Sequence, residues 1–302
     1  PTFAANQVSM AKEYKKRDSK GDKPEFKKAD KRKENYKGSK KARSKAGEKL
    51  SKGEELEKTT IRLNKYIANS GLCSRRQADD MIAKGRVKVD GEPVTEMGFM
   101  VAPGSKVKVN GSKIEPKQFI YAVMNKPKGY ITTKKDPQGR KTVMDLIKME
   151  GSHLLYPVGR LDRNTTGLLL LTNDGDFSQA MTHPSFEVKK IYRVKLDRKP
   201  EKEDLLAWVA GVKLEDGLMA FEQVGFVDSD DPTVLGLEIH SGRNRIVRRM
   251  FEHLNYEVKG LDRVMMGEFD HVKLGRGKWR LLNDKEIRYV EKVKRKFKKS
   301  KD

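Results

Sequence analysis

The stretch "GRLDRNTTGLLLLTNDG", residues 159–175, decides the fold of the larger part of this chain. Its apolar run, Leu168–Leu171, lies between polar turns and predicts a buried strand. Asp162 precedes that strand between Arg160 and Arg163, and a neighbouring guanidinium favours the ionised carboxylate. Such an aspartate can act as a nucleophile or a base. The alternative is an ion pair that only ties down a turn, because surface ion pairs are common and contribute little.

The surrounding sequence predicts one α+β domain over residues 121–290. "FIYAVMNKPKGYITT" opens it as a strand that turns at Pro127 and Gly129, and "KKIYRVKL" alternates apolar and polar residues as a strand does. "NRIVRRMFEHLNY" has the spacing of a helix with one apolar face. Strands and helices do not alternate regularly, so we expect a mostly antiparallel mixed sheet with flanking helices.

Four arginines fall within seven residues of "HSGRNRIVRRM": Arg243, Arg245, Arg248 and Arg249. A helix start that follows a glycine and carries arginine side chains suits a phosphate group. The alternative is a solvated basic helix, and one of these arginines could instead turn inward to meet Asp162. Spacing alone leaves these possibilities open.

A smaller unit is predicted at residues 61–109, with two short helices followed by short strands. Ser74 and Gln77 have the spacing of a capping box, and Gly85 is placed to end the second helix. Asp-Gly and Asn-Gly pairs predict hairpin turns. Basic side chains flank these elements and favour RNA binding over a randomly solvated face: Lys65, Arg75, Arg76, Lys84, Arg86 and Lys88.

The remaining segments are predicted to lie outside both domains. Residues 1–60 contain 19 Lys and Arg against 10 Asp and Glu with few aliphatic residues, so we expect a disordered basic tail that strengthens RNA binding. Residues 110–120 are predicted as a connector, and residues 291–302 as a shorter basic tail that continues a helix end.

The whole chain has 302 residues and a formal net charge of +23, which favours a polyanionic partner, with nucleic acid ahead of an anionic membrane surface. No apolar stretch is long enough for a spanning helix, and the N-terminus lacks the apolar core of a signal peptide. Cys73 is the only cysteine, and the five histidines show no metal-binding spacing. These features predict a soluble, cytoplasmic protein without a structural metal.

Two parts of the chain resemble known families. "RLNKYIANSGLCSRRQADDMIAKGRVKVDG" is similar to the S4 domain, a small module that binds structured RNA. "NKPKG", "GRLDRNTTGLLLLTNDG", "KKIYRV" and "SGRNRIVRRM" occur in the order found in RNA pseudouridine synthases, and with the S4 domain they resemble the RsuA/RluB type that modifies ribosomal RNA.

The resemblance implies roles for individual residues. Asp162 matches the catalytic aspartate, Tyr192 the tyrosine that stacks on the target base, and Arg248 the arginine that pairs with the carboxylate. Arg160 and Lys126 match mainly structural positions, and Arg243 is expected to support the site, while Arg245 and Arg249 are expected to bind RNA. Related sequences often have Gln at the position of Ile246, a departure that concerns RNA contacts only.

The resemblance also implies a reaction: isomerisation of uridine to pseudouridine in 23S rRNA near the peptidyl-transferase region, with base flipping and without a cofactor or metal. It favours a monomer that acts on ribosomal RNA and not on a membrane. Three alternatives remain at this point: a 16S rRNA target, a non-catalytic RNA-binding factor in ribosome assembly, and a peripheral membrane protein.

Overall fold

A computed structural model describes residues 60–300, which divide after Gln118 into two compact units. The predicted tail at residues 1–60 lies outside this range except for its last residue. No helix within the described range combines the length and the apolar character needed to cross a lipid bilayer.

The first unit begins with two helices, α1 (Leu63–Asn69) and α2 (Arg75–Ala83). Ser74 and Gln77 form the predicted capping box, since the Ser74 side chain accepts from the Gln77 amide and the Gln77 side chain accepts from the Ser74 amide. Gly85 has a φ of +65° just after α2, the left-handed conformation that ends a helix.

Six short strands complete the first unit: β1 (Ile61–Arg62), β2 (Val87–Val89), β3 (Glu92–Pro93), β4 (Met100–Val101), β5 (Val107–Val109) and β6 (Ser112–Ile114). Strands β3-β2-β5-β6 form one antiparallel sheet and β1 pairs with β4. The Asp90-Gly91 and Asn110-Gly111 turns have positive φ at both residues, as two-residue hairpins require. Because β6 extends this sheet, the connector predicted at residues 110–120 begins too early.

The second unit contains eleven strands: β7 (Tyr121–Lys126), β8 (Tyr156–Val158), β9 (Thr166–Thr172), β10 (Lys190–Leu196), β11 (Val212–Leu214), β12 (Gly217–Met219), β13 (Gln223–Phe226), β14 (Val234–Ile239), β15 (Val258–Met266), β16 (Phe269–Asp270) and β17 (Trp279–Leu281). Nine of them form one sheet in the order β13-β14-β10-β15-β9-β7-β17, with β16 beside β15 and β8 beside β9. Only the β9–β15 pair is parallel in this sheet, which confirms the predicted mostly antiparallel α+β domain.

Strand β9 is buried on both faces, which explains its unbroken apolar run. Leu168 and Leu170 pack in one cluster with Phe177, while Leu169 and Leu171 pack in another on the opposite face. A Cβ on Gly167 would lie 2.2 Å from the Arg263 carbonyl oxygen, so the close approach of β9 to β15 requires glycine there.

Four helices flank this sheet: α3 (Gly175–Thr182), α4 (Lys202–Ala210), α5 (Ile246–His253) and α6 (Asp284–Lys299). Trp208 of α4 donates a hydrogen bond to the Met250 carbonyl of α5, and both helices pack against β10, β14 and β15. Three short 3-10 helices lie at Val143–Leu146, Ser152–Leu154 and Pro184–Phe186.

Helix α6 corrects the basic tail predicted at residues 291–302. The helix continues to Lys299, and Phe297 is buried against Phe186, with ring centroids 5.3 Å apart. Val290 is also buried, so one apolar face of α6 packs on the second unit while its other faces carry the lysines. A basic composition does not separate a solvated tail from an amphipathic terminal helix.

Candidate active site

Asp162 lies in the turn between β8 and β9, and a buried lysine holds the backbone of this turn. The Nζ of Lys126 donates to the carbonyl oxygens of Thr165 at 2.7 Å, Asp162 at 3.1 Å and Arg163 at 3.3 Å. Lys126 has no exposed surface, and this burial lowers its pKa to about 8. The lysine therefore fixes the backbone of the turn, while the Asp162 carboxylate is free to make other contacts.

The segment after β7 contributes two further contacts to this turn. The Gly129 amide donates to the Arg163 carbonyl at 2.9 Å. The Leu161 amide donates to the Thr132 hydroxyl at 3.0 Å, and that hydroxyl donates in turn to the Leu161 carbonyl. The "NKPKG" turn thus serves as a support for the residues that carry the carboxylate.

Two arginines from the start of α5 reach Asp162. Arg245 Nη1 lies 3.6 Å and Arg248 Nε lies 3.9 Å from Asp162 Oδ2, distances of ion pairs and not of close hydrogen bonds. Arg248 is held by a hydrogen bond from its Nη1 to the Val258 carbonyl at 3.0 Å. Burial and the adjacent Arg245 charge lower the pKa of Arg248. The Asp162 side chain remains 36% exposed, so it is accessible from the cavity that it lines beside two cationic groups.

The other two arginines of this segment are held by the hairpin of β11 and β12. Arg249 forms a bidentate pair with the Asp216 carboxylate at 2.9 and 3.0 Å. Arg243 Nη1 donates to the Asp216 carbonyl at 2.7 Å. These bonds lower the pKa of Asp216, with the Arg249 hydrogen bond as the main cause. The hairpin therefore orients the segment that carries Arg245.

The sheet contributes the remaining wall through β10 and β15. Tyr192 and Arg263 are direct Cα partners across these antiparallel strands, and a register shift between Ile191 and Tyr192 marks a bulge beside them. Lys190 lies two residues before Tyr192 and so shares its face of the strand. Lys190 and Arg263 are both buried.

These elements enclose a cavity of about 370 Å³. Asp162 and Tyr192 both line it, together with side chains from α3, the arginine segment and β15. The principal charged lining residues are Arg160, Lys190, Arg243, Arg245, Arg248 and Arg263. One carboxylate thus shares the cavity with six basic side chains.

Comparison with known proteins places this arrangement in a family. Residues 120–253 match the model of RNA pseudouridylate synthases, and residues 61–107 match the S4 domain. Ribosomal large subunit pseudouridine synthase B of Bacillus subtilis (strain 168) is 43% identical over 205 residues, which cover 67% of this chain and 84% of the relative. This chain belongs to the RNA pseudouridine synthases.

Two further comparisons agree with this assignment. Dual-specificity RNA pseudouridine synthase RluF of Escherichia coli (strain K12) is 36% identical over 235 residues, which cover 77% of this chain and 79% of the relative. A crystal structure of a pseudouridylate synthase superposes with a TM-score of 0.55 at 29% identity, covering 76% of this chain and 99% of that one. The S4 domain and the synthase domain together are those of the RsuA/RluB branch.

The synthase domain brings together most of the site residues that the sequence indicates. Asp162, Tyr192 and Arg248 line one cavity, and Arg160, Arg243 and Arg245 line it with them. Two predicted residues do not line it. Lys126 lies beneath the turn, and Arg249 pairs with Asp216.

The S4 domain exposes most of its predicted basic residues. The exposed ones are Arg75, Arg76, Lys84, Arg86 and Lys88, while Lys65 is half-buried. Lys88 on β2 lies opposite Lys108 on β5, and Lys108 lies opposite Lys113 on β6. Glu115 pairs with Lys113 at 2.6 Å, whereas like charges opposite one another destabilise a sheet, so the Lys88 and Lys108 part of this row favours contact with an anion. Lys108 was not among the predicted residues, although it alternates with Val107 and Val109 on a strand.

The sequence prediction also missed Lys190 and Arg263 of the synthase domain. Lys190 carries a local signal, because the period of two in "KKIYRV" places it on the face of Tyr192. Arg263 carries a weaker one, a single arginine within the apolar strand "LDRVMM". Only the pairing of β10 with β15 shows that both belong to the site.

Proposed function

We propose that this protein isomerises uridine to pseudouridine in ribosomal RNA, with Asp162 as its catalytic carboxylate. The observation that carries the proposal is the position of Asp162, which lines the same cavity as Tyr192 and lies within ion-pair distance of Arg245 and Arg248. The two guanidinium groups place positive charge beside this carboxylate. The turn that Lys126 holds fixes the position of the Asp162 backbone.

Tyr192 is proposed to stack on the target uracil. A uridine within structured RNA must leave its helical stack before an enzyme can reach its glycosidic bond. An aromatic ring beside the carboxylate replaces part of the lost stacking. The cavity volume lies at the lower end of the range of about 300–1,000 Å³ that is typical of small-ligand sites. That size suits one nucleoside.

The exposed basic residues are proposed to bind the phosphates on either side of the target. Arg160, Arg243 and Arg245 are exposed and line the cavity, where flanking phosphates of a flipped nucleotide would lie. The S4 domain is proposed to add sequence-independent contacts to structured RNA, with its lysine row on β2, β5 and β6. These contacts position the RNA and do not select the uridine.

The proposed target is a uridine of the large-subunit rRNA, near the peptidyl-transferase region. The name of the Bacillus subtilis relative refers to the large ribosomal subunit, and the family resemblance points to the same rRNA. A small-subunit uridine is the second candidate. Phosphate contacts cannot distinguish the two, so the target has to be measured.

The test is to map pseudouridines in both rRNAs after incubation with the full chain. The substrates are unmodified 23S and 16S transcripts and partly assembled subunits, and Asp230→Asn, in the exposed loop between β13 and β14, is the control variant. We expect one new modified region in 23S rRNA. Modification confined to 16S rRNA would overturn the target, and stable binding to subunits without any modification would overturn the enzymatic proposal.

A further inference from the structure

The guanidinium of Arg263 is a buried charge of the synthase domain that is only partly compensated. This side chain is 2% exposed. Its Nε donates to the Leu168 carbonyl at 2.9 Å, but its buried Nη2 has no hydrogen-bond partner. Among residues 60–300 no carboxylate forms an ion pair with it. A permanently charged buried group without a counter-ion is unfavourable, which suggests that a ligand completes its surroundings.

Lys190 adds a second buried cation to the same wall. Its Nζ donates to the Val188 and His240 carbonyl oxygens, both at 2.8 Å, which leaves one N–H unused. Burial lowers the pKa of Lys190 to about 8, and the Arg263 charge adds to this effect. At neutral pH it is still mostly protonated. Arg263 and Lys190 therefore form a positive wall that Asp162 does not neutralise.

The position of this wall distinguishes a base from a phosphate as its ligand. The phosphates of an RNA strand stay at the cavity entrance, where Arg160, Arg243 and Arg245 are exposed. Arg263 instead lies directly across from Tyr192 in the sheet, and their side chains share one face. A base that stacks on Tyr192 would thus place its edge, and not its phosphate, beside Arg263.

The chemistry of the proposed reaction requires a positive group at that edge. If the carboxylate attacks C1′, a C–O bond forms and the N1–C1′ bond breaks, with its electron pair passing to the uracil. If the carboxylate attacks C6, the electron pair of the C5–C6 double bond passes to O4 as an enolate. If it removes a ribose proton, the N1–C1′ bond again breaks with its pair on the uracil. Each route places negative charge on the carbonyl oxygens of the base.

We propose that Arg263, assisted by Lys190, donates hydrogen bonds to a carbonyl oxygen of the target uracil and stabilises the negative charge that develops there. This inference rests on the proposed pseudouridine synthase activity and adds a catalytic residue to it. Fixed donors that face developing charge in a site from which water is excluded are among the strongest catalytic devices in enzymes. If the acceptor is O4, the same donors disfavour cytosine, whose exocyclic amino group takes the place of that oxygen.

The experiment compares the full-length protein with Arg263→Met and Arg263→Lys under single-turnover conditions on its target RNA. We expect Arg263→Met to lower the rate about 10²–10³-fold at unchanged RNA affinity, and Arg263→Lys to recover part of the loss. The matched control is Arg193→Met, a neighbouring arginine of β10 that pairs with Asp228 and does not line the cavity. Its rate should equal that of the wild type.

Substitution of single atoms in the RNA separates a catalytic role from a structural one. The target uridine is replaced by 2-thiouridine or 4-thiouridine, which weakens one acceptor at a time. We expect one of these replacements to slow the wild type and to have no further effect in Arg263→Met or Arg263→Lys. The two effects are then not additive, which is the result expected when the side chain and the RNA atom are in direct contact. Independent effects for both atoms would overturn the proposal.

Two other results bear on it separately. In the first, Arg263→Met loses activity in proportion to a fall in its unfolding temperature, and Arg263→Lys restores both the activity and that temperature. If the effects of the thio substitutions are also independent of the Arg263 variant, Arg263 is structural and the proposal fails. If the wild type modifies uridine and Arg263→Met does so equally fast, the proposal fails while the proposed function stands. Absence of wild-type activity would instead overturn the proposed function itself.

Discussion

Replacement of Lys126 by Met removes the support of the turn that carries Asp162, while the buried apolar stem is kept. The Lys126 ammonium has three N–H groups and lies within hydrogen-bond distance of four carbonyl oxygens, at 2.7, 3.1, 3.2 and 3.3 Å. The Asp162 and Arg163 carbonyls each keep a second donor, from Thr165 and Gly129. The Thr165 carbonyl, which accepts the shortest bond, is the most affected.

The magnitude follows from these contacts. A hydrogen bond from a charged donor contributes about 1.5–3 kcal/mol net, and an unsatisfied buried carbonyl costs about 1–3 kcal/mol. Removal of the buried ammonium also relieves its desolvation penalty, which offsets part of the loss. We expect the free energy of unfolding to fall by about 2–4 kcal/mol for Lys126→Met. Because the turn relaxes, the carboxylate shifts, and a displacement of about 1 Å lowers the rate about 10²-fold.

The assay combines denaturant unfolding, RNA affinity and single-turnover pseudouridine formation. Lys128→Met is the matched control, since Lys128 lies in the same turn and its side chain is exposed. Affinity should be preserved in Lys126→Met, because Lys126 faces away from solvent. A Lys126→Met protein that folds as stably and reacts as fast as the control would refute the view that this lysine positions Asp162.

Three further predictions concern other parts of the molecule. Asp216→Asn should lower the single-turnover rate a few-fold while the unfolding free energy changes by under about 1 kcal/mol, because the pair with Arg249 is exposed; an unchanged rate would show that the hairpin does not position the arginine segment. Lys190 has a folded pKa of about 8 against an ordinary value of about 10.4, so the unfolded chain retains its proton longer and the unfolding free energy should rise between these two pH values. Lys190→Met should reduce that rise in denaturant titrations, with Lys126 still contributing its share, and an equal rise would contradict it. Lys108→Ala should reduce the slope of log affinity against log salt by about 1, and an identical slope would remove the lysine row from the RNA contact.

Local features of the fold could be predicted because short-range chemistry determines them. The capping box at Ser74, the Asn110-Gly111 turn and the apolar strand after Asp162 each depend on neighbouring residues. The last turns of α6 were predicted as a basic tail that continues a helix end, and their packing was missed because charge outnumbers their few apolar positions.

The candidate site was predictable only in part, for a related reason. Asp162 and the arginine segment could be recognised from motif order, and one arginine was expected to turn toward Asp162. The structure shows that two do, and that Arg245 approaches more closely than Arg248. The role of Asp216 and the burial of Arg263 depend on residues that lie far apart in the chain and meet through strand pairing. Such contacts carry no local pattern.

The central claim is that Asp162 performs the chemistry while other residues hold the RNA. The most direct test is single-turnover pseudouridine formation by Asp162→Asn on the target RNA, with affinity measured on the same sample. The exchange keeps the size of the side chain and the hydrogen bonds that hold the turn, but it removes the negative charge. We predict wild-type affinity and no detectable pseudouridine. Formation of pseudouridine at a rate near that of the wild type would contradict the assignment of this carboxylate.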